Sequence, residues 1–436
     1  MKKCILMVMV LLVVACNKPA NQASEENRQA EEGVMSALNE IAEDYVKLVL
    51  ATGQHDSDFV DAYYGPAEWK DQESRTPEAL VEEAAAIQRR LDAVDISGED
   101  VLVQQRVAYL KIQLLAVSSR LEMLNGQSFA FDEEAQRLYD VTPPTHDEAH
   151  FQELLSQLEA ELPGKGSITQ RLADWRKDFI IPPEKLDAVF SKAIEEARRR
   201  TGQHMTLPEG ENFVVEYVTD KPWSGYNWYK GGFYSLIQVN TDLPIYIDRA
   251  IDLACHEGFP GHHVYNALLE KAFVKDRGWV EFSVYPLFSP QSLVAEGSAN
   301  YGIRIAFDDA ERLEFEKKEL FPLAGLDSAR VEEYYRVMAL TNGLSYAGNE
   351  AARNYLDGKW DADKAVDWLV KYALMEPDRA KQRLKFIERY RSYVINYNLG
   401  QDLVDGYIKK LMEEKGLDRW QAFQILLETP ARPSAL

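Results

Sequence analysis

Residues 252–265 read DLACHEGFPGHHVY, and this stretch holds three of the seven histidines in a chain of 436 residues. Glu257 directly follows His256. A His-Glu pair with a second His about one turn later puts two metal ligands and a general base on one helical face. Here Pro260 and Gly261 interrupt the regular HExxH spacing. On a straight helix, His256 and His262 diverge by about 240°, and His256 and His263 share a face but lie about 10.5 Å apart along it. Neither pair can then bind one ion through Zn–N bonds of about 2.1 Å. Proline removes a backbone donor and glycine tolerates unusual dihedrals. If the two extra residues bulge out, His262 returns to the place of the second ligand, with His263 as its rival or as a neighbouring support. Asp252, one turn before His256, is placed to orient that imidazole.

A hydrolytic zinc site of this kind needs a third protein ligand and an open position for water. Leu293 to Tyr301 reads LVAEGSANY, with Glu296 among Ala295, Gly297, Ser298 and Ala299. Such small neighbours let helices approach closely enough for a short carboxylate to reach an ion. Alone, Glu296 reads as a solvated helix residue; beside the histidine stretch it becomes the candidate third ligand.

HEGFPGHH followed by EGSANY resembles the bacterial domain-of-unknown-function family 885, whose members carry HEGxPGHH and a downstream EGWA-like string. That family is similar to the gluzincin metallopeptidases, which bind zinc through HExxH and a Glu on a following helix. The dipeptidyl peptidase III family accommodates one extra residue within HExxH. The resemblance runs from about Pro163 to the C-terminus. It implies His256, His262 and Glu296 as zinc ligands and Glu257 as base. Tyr393 to Gly400, YVINYNLG, resembles the family's QALSYKIG, which places Tyr397 on the family's Tyr as a candidate oxyanion donor. Two positions depart from the pattern: Ser298 stands for the family's Trp, and Tyr393 for its Gln.

The remaining chain is read around that site. Lys2, Lys3 and the apolar run Ile5–Val14 form a secretory signal, too short to span a bilayer. It ends in Val13-Val14-Ala15-Cys16, which resembles a bacterial lipobox, so residues 1–15 are expected to leave and Cys16 to carry lipid. The expected location is the bacterial cell envelope, facing the periplasm or the outside. Residues 16–33 read as a polar tether. Only Cys255 remains in the body, so the mature chain can form no internal disulfide, and Cys255 reads as a buried apolar residue. The formal charge of −22 becomes −24 once Lys2 and Lys3 leave, which disfavours nucleic acid as a partner.

Residues 34–200 read as a helical region without visible chemistry. Thr76-Pro77 and the capping-box pattern Ser167-x-x-Gln170 mark helix starts, and Asn125-Gly126 marks a stop. Asp61–Trp69 reads as an aromatic-rich turn. Residues 201–436 form the metal-site region. Phe213–Val218 and Phe233–Asn240 read as strands of a hairpin, joined by a loop crowded with Trp223, Tyr226, Trp228 and Tyr229. In gluzincins an edge strand before the metal helix pairs with extended peptide, which implies substrate contacts at Val239 and Asn240. The predicted fold is mainly α, with a small sheet beside the zinc helix. The expected function is zinc-dependent hydrolysis of a peptide or small amide. The contrasting expectations are a non-catalytic binding lipoprotein with a structural metal site, or a hydrolase of a non-peptide amide or ester.

Overall fold

The computed structural model describes residues 20–70, 73–221 and 223–436, and the signal-like stretch with Cys16 lies outside them. The described residues are mainly α-helical and form two small sheets. Local signals account for many helix ends. Thr76 accepts a hydrogen bond from the Ala79 N–H and Pro77 fills the first turn. Asp100 caps Val101–Leu124, which stops at Asn125 with Gly126 beyond it at φ 91°. Ser167 caps Ile168–Arg176, but no reciprocal bond completes a capping box, because the Gln170 amide reaches Asp174 instead. The first helix, Ala20–Gly53, begins inside the stretch expected as a tether. Residues 20–33 carry Ala, Glu, Gln and Arg, which favour helix even without the apolar stripe that follows from Leu38 on.

The sheet beside the site differs from the expected hairpin. Strands β2 (Asn212–Val218) and β4 (Tyr234–Asn240) run parallel. The aromatic loop between them contains β3 (Gly225–Tyr229), antiparallel to β4, so the order is β2-β4-β3. β4 is therefore the central strand, and β3 carries the edge towards the histidine stretch. Two further short strands, β1 (Val60–Tyr63) and β5 (Val284–Pro286), pair antiparallel. Their register shifts between Val60 and Ala62, which makes Asp61 the extra residue of a bulge. Bulges re-aim a side chain, and this one lies in the stretch read as a turn.

Two apolar cores fill the interior, and both draw on residues before and after position 200. One gathers Phe151, Trp175, Phe190, Ile251, Phe259, Phe273 and Tyr334. The other gathers Tyr45, Phe59, Leu110, Phe131, Phe288, Leu369 and Ile395. The helix Pro290–Ala306, which carries Glu296, lies on the seam: Val294, Ala295 and Tyr301 belong to the first core, Leu293 to the second. It crosses the helix Ile395–Lys415 at paired glycines. A Cβ on Gly297 would sit 2.4 Å from the Gly400 carbonyl, so only glycine permits that approach.

Candidate metal centre

The histidine stretch is not one helix with two residues looped out. Ile247–Leu253 is α-helical, Ala254–Gly258 winds as a π-turn, and a new α-helix runs from His262 to Leu269. Phe259, Pro260 and Gly261 lie between, with a cis Phe259–Pro260 bond. Gly261 passes so close to the preceding turn that a Cβ there would stand 1.9 Å from the His256 carbonyl oxygen. Gly302 on the Glu296 helix faces the same break; a Cβ on it would meet the Cys255 carbonyl at 3.2 Å.

The break brings His256 and His262 together. Their rings stand perpendicular with centroids 4.7 Å apart. Glu296 closes the group: its Oε2 lies 3.6 Å from His256 Nε2 and 3.7 Å from His262 Nε2. Two donors on one tetrahedral ion at Zn–N/O distances are about 3.4 Å apart. The other Glu296 oxygen accepts a hydrogen bond from the Tyr393 hydroxyl at 2.8 Å, whereas Oε2 is buried without any hydrogen-bond partner. A buried carboxylate oxygen in that state needs a cation beside it, either a protonated His262 or a bound ion. A divalent ion therefore fits the donor set.

Donor atoms of His256, Glu257 and His262 also fall within 4.8 Å of one another. Glu257 could thus be counted as the third ligand in place of Glu296. By distance Glu296 fits that role more closely: its Oε2 is nearly equidistant from both imidazoles, while Glu257 Oε1 reaches His256 Nε2 only at 4.0 Å. The Glu257 carboxylate stands beside Gly225 of β3, where a Cβ would come within 3.0 Å of its Oε1. Asn227 of β3 donates to the Glu257 carbonyl at 2.7 Å. The edge strand thus fits around the acid. The His256 and His262 side chains keep 17% and 12% of their surface exposed, so the group is reached from solvent.

The electrostatics follow from burial and crowding. Burial, with Glu296 and Asp61 adding to it, raises Glu257 to about 7. Burial and the His262 charge push His256 down to about 3. Burial pulls His262 down, but Glu296, Glu257 and Asp61 outweigh it and hold the ring above its ordinary value. Burial also raises Glu296, yet His262, His256 and the Tyr393 bond prevail and lower it.

Other expected residues lie elsewhere. His263, the rival ligand, points away: its Nδ1 meets the Ser235 hydroxyl at 2.9 Å and its Nε2 the Glu211 carboxylate at 2.9 Å, fully buried. One residue around the helix turns it by about 100°, away from the ion position and into the sheet. Asp252 does not orient His256; it pairs with Arg312 at 2.9 Å. Val239 and Asn240 are not placed to bind substrate. Val239 is buried in the core and lies on the central strand, paired on both sides. The Asn240 side chain donates to the Lys221 and Trp223 carbonyls and so fastens the loop. Ser298 is buried and turns back onto the Ala295 carbonyl. Cys255 is a buried free thiol, pushed up by burial. Tyr397 is half-buried, edge-on to Tyr393 with centroids 5.7 Å apart, and its phenol lies in the fields of Glu296 and Glu257.

Three residues have a part at the site that the sequence reading did not give them. Tyr393 holds Glu296. Asp61 reaches the site from β1 and accepts a hydrogen bond from the Tyr226 hydroxyl of β3; burial lifts its carboxyl to about 6 beside His262 and Glu296. Gly225 leaves room for Glu257. Only Gly225, a glycine within an aromatic run, carried any local signal.

No protein-family model matches the sequence, and no curated protein matches it. Among solved structures, a lipoprotein from Colwellia psychrerythraea is similar over 83% of this chain, at 16% identity and a TM-score of 0.51; the chain spans 66% of that protein's length. A lipoprotein of unknown function from Shewanella oneidensis is similar at 13% identity, over 82% of this chain and 71% of its own, with a TM-score of 0.43. An M32 carboxypeptidase from Deinococcus radiodurans is similar at 13% identity, over 94% of this chain and 93% of its own, with a TM-score of 0.38. The first of these likenesses is one of fold alone.

Proposed function

We propose that the protein is a metal-dependent hydrolase of amide bonds, a peptidase, with His256, His262 and Glu296 holding one divalent ion. The observation that carries this reading is the partnerless Glu296 Oε2 facing both imidazoles. Two imidazoles and a carboxylate suit zinc. An ion held there supplies Lewis acidity, lowering the pKa of water and polarising a carbonyl. Glu257 takes the proton of the attacking water and returns it to the leaving amine. The Tyr393 hydroxyl bond to Glu296 supports its role as a ligand carboxylate, and Tyr397, packed edge-on against Tyr393, is the candidate oxyanion donor. The unpaired side of β3, beside Glu257, replaces the central strand as the candidate rail for extended substrate.

The test is metal analysis of the purified chain together with hydrolysis of a mixed peptide library. One divalent ion per chain is expected, with cleavage lost on chelation and restored by one equivalent of zinc. Hydrolysis indifferent to chelation, or bound ion without any cleavage, would leave a binding lipoprotein as the better reading.

We also propose lipid anchoring through Cys16, supported by the lipobox-like string. No helix among the described residues is long and apolar enough to cross a membrane. Cys16→Ser is expected to move the protein from the membrane fraction to the soluble fraction; a mutant that sediments like its parent rules the anchor out.

A further inference from the structure

The turn that carries Tyr393 is strained. Arg391 joins the helix Pro377–Tyr390 to the turn Arg391–Val394 with φ 52° and ψ −124°. Glycine is the usual occupant of that region, because a Cβ crowds the backbone there. Strain of this kind persists only where the surrounding structure enforces it, and it gathers at functional sites. Two residues on, the Tyr393 hydroxyl donates to Glu296 Oε1 at 2.8 Å.

One carboxylate enforces the turn. Glu134, on the helix Phe131–Tyr139, is buried. Its Oε2 accepts from Arg391 Nε at 2.6 Å. Its Oε1 accepts from the Ser392 backbone N–H at 3.1 Å and from the Ser392 hydroxyl at 2.6 Å. Three donors on the two residues before Tyr393 are thus fixed by one acid. The last residue of the same helix, Tyr139, sets its ring edge-on to Tyr393, with centroids 6.4 Å apart. Neutralising Arg391 does not explain this arrangement: that side chain keeps 25% of its surface exposed and needs no buried acid. Burying a carboxylate is costly, and this one turns both oxygens to the turn.

The links to the candidate metal centre are short throughout. Glu134 holds Ser392, Ser392 is bonded to Tyr393, and Tyr393 holds Glu296. With Oε1 so engaged, Oε2 is the oxygen left to face His256 and His262. Without the Tyr393 bond, the carboxylate is free to turn about its last torsion, and either oxygen can point at the imidazoles. The segment 34–200, in which the sequence shows no chemistry, therefore reaches the site through one buried acid.

Resting on the ligand assignment in the metal-dependent reading above, we propose that Glu134 is a positioning residue for the metal centre. It holds the Arg391–Val394 turn so that Tyr393 keeps Glu296 aimed at the ion position.

The test is zinc affinity, measured by competition with a chelating dye, in the parent, Glu134→Gln, Tyr393→Phe and the double variant. Each single change is expected to weaken zinc by about 10- to 100-fold, the usual span for supporting residues. Because Glu134 acts through Tyr393, the double variant is expected to bind within about twofold of the weaker single. Asp132→Asn loosens the same helix from Arg353, a 2.8 Å pair, and is expected to bind zinc like the parent. With cobalt in place of zinc, the visible spectrum of Glu134→Gln is expected to change as that of Tyr393→Phe does, and that of Asp132→Asn to stay as in the parent.

Parental affinity in Glu134→Gln overturns the proposal. So do losses that multiply in the double variant, because Glu134 then acts by another route. Equal weakening in Asp132→Asn also overturns it, because any loosening of the helix then suffices. If Glu134→Gln does not fold, Ser392→Ala takes its place in the same cycle. It removes one of the three bonds and is expected to weaken zinc by about 3- to 10-fold, again without adding to Tyr393→Phe; unchanged affinity overturns the proposal. A parent that binds zinc but cleaves no peptide overturns the peptidase reading and leaves this one to the affinities. A parent that binds no zinc overturns both.

Discussion

His262→Ala is expected to lose its metal on dialysis against a mild chelator, whereas His263→Ala keeps it. The two residues are neighbours, but their surroundings differ in kind. His262 Nε2 faces the orphaned oxygen of Glu296, and its ring lies against His256. Removing it leaves two donors where a hydrolytic site needs three. The loss should far exceed the roughly 10- to 100-fold in affinity typical of supporting residues. His263 instead bolts the restarted helix to the sheet through Ser235 and Glu211. Its removal orphans a buried hydroxyl, although Glu211 keeps Arg198 at 2.5 Å. A stability loss of about 1–3 kcal/mol in urea unfolding is expected, with metal affinity reduced at most in the supporting range. If His263→Ala strips the ion and His262→Ala retains it, the assignment of ligands is wrong.

The second large effect is catalytic. Glu257→Gln is expected to bind metal like the parent yet lose about 100- to 10,000-fold in kcat, the usual span for a general base. The amide has nearly the shape of the carboxylate, so the gap left by Gly225 still receives it. What it lacks is the capacity to accept the water's proton. Kinetics on a peptide cleaved by the parent, with metal content measured on the same sample, separate the two properties. Full activity in this variant would exclude Glu257 as base; lost activity with lost metal would make it a ligand.

The site was legible in sequence where chemistry and spacing are local. Three histidines, a Glu and a Pro-Gly break within eight residues specify a distorted helix, and the small residues around Glu296 specify close helix contact. Neither the helix break nor the partners could be read as easily. The two-residue loop-out became a π-turn and a fresh helix start, a choice set by Gly261 packing against the His256 carbonyl and by Gly302 opposite. FYSLIQVN looks the same as an edge or a central strand, because strand order depends on where β2 and β3 dock. Asp61 lies 195 residues from His256, and a bulge aims it, so no window around either residue contains the pairing.

The seam between the two apolar cores has a thermodynamic consequence. His256 and His262 come from elements packed in one core, Tyr393 from the other, and Glu296 from the helix that straddles them. An ion bound only by the assembled native chain adds RT ln(1 + [M]/Kd) to stability. Here that increment exists only while both halves of the interior are formed and in register. An ion held there would act as a rivet, making the unfolding of either core conditional on the other, so cooperativity itself would depend on its occupancy.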